Sequence, residues 1–198
     1  MNNMENFFNP PSVYRGTDFI MLNGTLTDYE LRRQISEMAD EGVASFIARP
    51  YIGLRSDYPG PVFMQNMRTM IDEAKKHSMT VFVQAGYMPE AVLNLPEEYS
   101  LGFLCIHDDS AFPNDEKYIC DHNGITYSIR SSKTFLDLFD REAIAFYIHQ
   151  SYDLWQPFSE EFGKTISSVW VDEPSYCADY LPWPRNLEEK FLYMQEQV

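Results

Sequence analysis

The chain is poor in cysteine, in positive charge and in long apolar runs, and each shortage excludes something. It has only three cysteines, Cys105, Cys120 and Cys177. They are too far apart for a metal knuckle and too few for a disulfide framework, so the expectation is reduced thiols in a cytoplasmic protein. Lys and Arg total 15 against 30 Asp and Glu, a formal net charge of −15. A surface that negative repels nucleic-acid phosphates and anionic lipid, so neither nucleic acid nor membrane is an expected partner. No apolar run is long enough to cross a bilayer. The start, "MNNMENFFNPPSVYRG", has no basic segment followed by an apolar core and a small-residue cleavage site, so no secretory signal is read there. Glycine is also sparse. No Gly-rich phosphate loop follows the first apolar segment, where Asn23-Gly24 precedes a threonine instead.

What is present describes a globular protein. Of 198 residues, 44% are hydrophobic and 15% aromatic, which excludes a disordered chain and suffices for one domain, 1–198, with a real core. Strand and helix patterns alternate. "DFIML" (18–22) reads as a strand. Thr27 and Glu30 have capping-box spacing ahead of a helix that ends at Gly42. "VASFIA" (43–48) is a second strand and "MTVFVQAG" (79–86) a third. Between them lies a helix with Phe63, Met67, Met70, Ile71 and Ala74 on one face and Lys75, Lys76 and His77 in its last turn, where cations oppose the dipole. A helix from Asp140, with Ile144, Ile148, Tyr152 and Trp155 on one face, should kink or restart at Pro157. "ISSVWV" is a fourth strand, and a helix after Asn186 closes the sequence. The stretch from about 95 to 130 breaks the rhythm and reads as a small β insertion, with Asn123-Gly124 as a hairpin turn. The expected fold is therefore α/β with a mostly parallel sheet. Both an open doubly wound sheet and part of a (β/α)8 barrel fit.

In either architecture the site lies beyond the carboxyl ends of the strands. The residues there are Asn23 after the first strand, Arg49, Pro50 and Tyr51 after the second, Gln84 and Tyr87 after the third, and Asp172 and Glu173 after the fourth. Tyr176, Trp183 and Arg185 follow. Amides, an arginine, carboxylates and rings together suit a sugar, whose C–H faces stack on rings and whose hydroxyls take hydrogen bonds. Plainer readings stand beside this one: Asn23 as a turn residue, Arg49 as a structural ion pair, Trp183 as a plug between two prolines, and Asp172-Glu173-Pro174 as a solvated turn. No metal is assigned, because no histidine has a partner at ligand spacing. "HDDS" (107–110) could hold Ca²⁺ but lacks the full oxygen ladder of an EF-hand. No cofactor is implied.

Three stretches carry a family resemblance: "LNGTLTDYELRRQISEMADEGVASFIARPYIGL", "MIDEAKKHSMTVFVQAGYMPEAV" and "DREAIAFYIHQSYDLWQPFSEEFGKTISSVWVDEPSYCADYLPWPRNLEEKF". In order and spacing they resemble the front half of (β/α)8-barrel glycosidases, the alpha-L-rhamnosidase-like enzymes of glycoside hydrolase family 106 and their relatives. The resemblance spans 14–193. It implies a TIM-barrel-like fold, here a partial (β/α)4+ barrel, and hydrolysis of O-glycosidic bonds with Glu173 as general acid. Asn23, Arg49, Tyr51, Gln84, Asp172 and Trp183 would then bind the sugar. A like-charged neighbour such as Asp172 would raise the pKa of Glu173 as an acid role requires. Where the family usually has an acid after the third strand, this chain has Gln84.

The second carboxylate that glycoside hydrolysis needs would come from a later strand. The expectation is thus a barrel half that pairs with another copy, or one completed by a missing C-terminal half. The alternative is a catalytically incomplete carbohydrate-binding or assembly module. An unrelated α/β enzyme using Cys105 or Cys177 as nucleophile finds no readable Cys/His pairing.

Overall fold

A computed structural model describes residues 3–85, 95–108, 113–171 and 181–196. The chain is a mixed α/β protein with one parallel and one antiparallel sheet, and its contacts divide it into two compact units.

The first unit takes residues 1–88 and 152–172. Its strands β1 (Thr17–Gly24), β2 (Ser45–Leu54), β3 (Thr80–Gln84) and the later β7 (Ile166–Trp170) lie side by side in chain order, all parallel. A short helix, α1 (Asn3–Phe8), precedes them. Helix α2 (Asp28–Asp40) starts at Thr27, whose hydroxyl accepts the N–H of Glu30. The reciprocal half of the expected capping box is not made, because Arg33 holds the Glu30 carboxylate at 2.7 Å. Gly42 follows at φ +84°, the left-handed conformation that stops a helix at little steric cost. Helix α3 (Pro61–Lys76) begins on a proline, whose missing N–H costs nothing in the first turn. The five residues expected on its inner face are all fully buried.

One face of the sheet carries the core. Ile20 and Leu22 of β1, Phe46 and Ala48 of β2, Val81 and Val83 of β3 and Ile166 of β7 pack against Leu31 and Ile35 of α2 and the inner face of α3. Both helices therefore cover the same face.

Two expectations about this unit change. The second strand runs on through "RPYIGL" to Leu54, because its carboxyl half still pairs with β1 after β3 has ended. The helix from Asp140 does not run to Trp155. It covers only Arg141–Ser151, as helix α4, and a 3-10 segment, Asp153–Glu161, broken around Pro157 and Phe158, brings Trp155 and Phe158 into the core of the parallel sheet. That short segment fills the position where a crossover helix was expected.

The second unit takes residues 89–151 and 173–198. The insertion expected near 95–130 is larger than a hairpin. Strands β4 (Ser100–His107), β5 (Glu116–His122), β6 (Ile125–Leu136) and β8 (Leu181–Trp183) form an antiparallel sheet in the order β5-β6-β4-β8. Asn123 and Gly124, at φ 52° and 77°, make the expected two-residue turn between β5 and β6. Helix α4 (Arg141–Ser151), entered through Asp140, which accepts the N–H of Glu142 at 2.8 Å, belongs here with α5 (Leu187–Glu196). Of the face expected on α4, Ile148 is exposed, while Ala143 and Ser151 are buried. No helix among the described residues is long and apolar enough to cross a membrane.

Candidate functional site

The sheet face opposite the helices carries the residues that can meet a ligand. In-register pairing lines up Phe19, Ile47, Phe82 and Ser168, then Met21 with Arg49, and Gln84 with Trp170. Strands β1 and β7 are the outermost of the four. At about 4.8 Å per strand interval they would stand roughly 14 Å apart in a flat sheet. Yet the Phe19 and Trp170 rings meet edge to face with centroids 5.3 Å apart. The sheet must curl toward this face, making it concave.

Arg49 rises from β2 inside that concavity. Its guanidinium carbon is 5.1 Å from the centre of the Tyr51 ring and 5.7 Å from that of Phe19, both within cation–π range. Gln84 is 1% exposed on β3. Its neighbour Trp170 is fixed by pairing and by the Ala85 N–H, which donates to the Trp170 carbonyl at 3.0 Å. Asn23 is exposed at the carboxyl end of β1, next to Gly24 at φ +69°. The end of β2 passes beside it: a Cβ added at Gly53, itself at φ +93°, would lie 4.0 Å from that of Asn23.

Asn23, Arg49, Tyr51 and Gln84 thus come together at the carboxyl half of one sheet. Phe19 and Trp170 join them, and sequence reading passed over both. Each looks like a core residue in a short apolar strand. The available signal was parity: Phe19 sits two and four positions before Met21 and Asn23, and alternate residues of a strand share a side. Trp183 is placed differently. It pairs with Gly102 in the antiparallel sheet of the second unit, because β8 adds to the edge of β4. Asp172 and Glu173 lie outside the described residues, as do Tyr87, Asp109, Tyr176 and Cys177.

A second polar cluster sits in the antiparallel sheet. His107 Nε2 is 2.8 Å from Glu116 Oε2 and 2.9 Å from Ser128 Oγ, and the Ser128 hydroxyl also donates to Glu116. Sequence reading gave His107 no partner, since these residues are brought together by three different strands. Burial pushes the Glu116 carboxyl up, but the hydrogen bonds from Ser128 and His107 outweigh it, and the group ends below the ordinary range. Burial, then the nearby Glu116 charge, push the Cys105 thiol up, the opposite of what a nucleophilic cysteine needs. Both hydroxyl and carboxylate meet the same imidazole nitrogen, so this is not the relay of a catalytic triad. Among the described residues, no three His, Cys, Asp or Glu side chains are grouped to hold a metal ion.

No protein-family model matches the chain. No curated protein matches it either. Among solved structures the chain is similar to a rhamnosidase from Novosphingobium sp. PP1Y, at 18% identity and a TM-score of 0.41, over 54% of this chain and 11% of that one. A likeness of that degree assigns no residue, and the chain spans about a tenth of that enzyme's length.

Proposed function

We propose that the parallel-sheet unit is a sector of a glycosidase-type (β/α) barrel that binds a carbohydrate on its concave face. The observation that carries this reading is the meeting of Phe19 and Trp170 across four strands, with Arg49 between rings. A sheet in chain order, curled away from α2 and α3 on its outer face, has the sense of a barrel wall. Rings and a guanidinium on its inner side match a polyol's two surfaces, the apolar C–H face and the hydroxyl edge. The sequence resemblance points the same way. β7 runs toward the carboxyl edge and ends at Trp170, with Asp172-Glu173 next but one in sequence. Glu173 is the general acid of this proposal, and Asn23, Arg49, Tyr51, Gln84 and Asp172 contact the sugar.

A second reading, a binding module without hydrolysis, has its own support. The residues that pairing places in rows on the concave face include no carboxylate among those described, and glycoside hydrolysis needs two. The two readings separate on aryl glycosides. As a hydrolase, the full chain releases the aryl alcohol, and Glu173→Gln lowers kcat by about 10²–10⁴-fold and removes the alkaline limb of the pH profile. Hydrolysis unchanged in that variant removes Glu173 from the chemistry. Saccharide binding that weakens in Arg49→Ala, with no turnover in the wild type, selects the binding module.

A further inference from the structure

The antiparallel unit has a concavity of its own, about 470 Å³, which the proposed chemistry does not use. Gly102 is in its lining, with Ile129 and Trp183 packed close over it. A side chain there is excluded, since a Cβ would fall 2.8 Å from the Trp183 carbonyl oxygen and 2.9 Å from a methyl of Ile129. Trp183 pairs directly with Gly102, and Lys117 stands two strands away on the same face, level with Ile129. Glu97, Glu98, Arg185 and Glu188 close the end of the depression.

This rim is held in place. The Arg185 backbone N–H donates to Asp137 Oδ2 at 2.9 Å, and its guanidinium donates to the Glu98 carbonyl at 2.8 Å. Asp137 is 2% exposed. Its other oxygen takes the N–H of Phe139 at 2.9 Å. The segment that carries Trp183 is thus tied down on its carboxyl side by a buried carboxylate. Ser100, the first residue of β4, is tied to Glu97 by a 2.8 Å hydrogen bond from its hydroxyl.

We infer that this depression is a second carbohydrate site, separate from the concave face of the parallel sheet, which takes a neutral mono- or disaccharide with Trp183 as its stacking platform. The inference rests on the carbohydrate reading of the preceding section and extends it to the other unit. The lining decides the ligand class. Three carboxylates repel phosphates and other anions, and the polar rim disfavours a purely apolar ligand. An indole in the lining offers a stacking surface to a pyranose face, whose hydroxyls meet carboxylate acceptors and the Lys117 and Arg185 donors. The volume falls within the range of small-ligand sites.

The test is calorimetric titration of the full chain with cellobiose, maltose and lactose, at low and high NaCl. The expected result is binding of at least one sugar, insensitive to salt. Trp183→Ala weakens it about tenfold or more, and Trp183→Phe keeps most of it because a ring remains. Lys117 is exposed, so Lys117→Ala, with an expected loss of about threefold to tenfold from one missing hydrogen bond, serves if Trp183→Ala does not fold. Sugar binding lost in Arg49→Ala but kept in both Trp183→Ala and Lys117→Ala overturns the second site and leaves the first standing. Salt-sensitive binding of 1,4-diaminobutane with no sugar bound also overturns it. So does the absence of any binding, while the aryl-glycoside assay still decides the reading of the parallel sheet on its own.

Discussion

Glu73 shows how much of this acidic chain's charge is put to structural use. It lies on α3 with its side chain 9% exposed, and it accepts from Arg32 of α2 at 2.6 Å and Lys76 at 2.7 Å. The hydrogen bond from Lys76 lowers its pKa against the upward pull of burial, and Arg32 adds to the lowering. Glu161 is lowered chiefly by Lys75 and then by Thr165. A depressed carboxylate stabilises the fold fully above its unfolded value, near 4.5, and that stability is lost as pH falls through the lower, folded value. The denaturation midpoint in urea is therefore expected to hold from neutral pH to about pH 5 and to drop below it. In Glu73→Gln that drop should be shallower and the neutral-pH midpoint lower. An identical acid slope in the variant would mean that Glu73 is not among the groups responsible. The capping and ion-pair partners on α2 and α3 were partly legible, since Thr27 to Glu30 and the basic last turn of α3 are local patterns. The link from Arg32 to Glu73 was not, because it joins two helices 41 residues apart.

At the level of elements, legibility followed the range of the interactions. Helix α3 and the Asn123-Gly124 hairpin were readable because their signals, a 3.6-residue stripe and a turn dipeptide, lie within a few residues. β8 was not readable. It is three residues long with a proline in the middle, and only its pairing with β4 makes it a strand. The false extension of α4 has a similar cause. Its apolar period continues smoothly into Tyr152 and Trp155, but the chain changes unit between Ser151 and Tyr152, and of that stripe only Trp155 is buried in a core. The site divides the same way: the strand-end amide and arginine residues were found, while Phe19 and Trp170 needed the curl of the sheet to become visible. The hairpin supplies a test at this scale. Gly124 sits at φ +77° with nothing within 4 Å of an added Cβ, so Gly124→Ala is strained by backbone conformation alone. It should cost about 1 kcal/mol, read as a lower melting temperature, where Asn123→Gly should be close to neutral.

For the whole molecule, the decisive fact is that each unit buries its own residues. The large apolar cluster, from Ile20 to Ile166, belongs to the parallel-sheet unit alone, while Leu101, Phe103, Cys105 and Leu136 are buried in the antiparallel one. Each is therefore expected to unfold as a cooperative body of its own. Met67, 0% exposed in the middle of α3, gives the means to see this. Met67→Ala should remove about 2–5 kcal/mol from the parallel unit. It should move one calorimetric transition down in temperature and leave the transition of the antiparallel unit in place. A single transition that shifts as a whole would show that the two cores melt as one.

The last strand of the parallel sheet also comes late. β3 ends at Gln84 and β7 begins at Ile166, and the larger part of the other unit, residues 89–151, lies between them in the chain. During synthesis the ribosome must deliver that whole stretch before β3 receives its outer neighbour. Until then the nascent polypeptide carries a three-stranded wall with an unpaired rim, which gives chaperones something to hold and leaves the wall open to wrong partners for longer than contiguous elements would be.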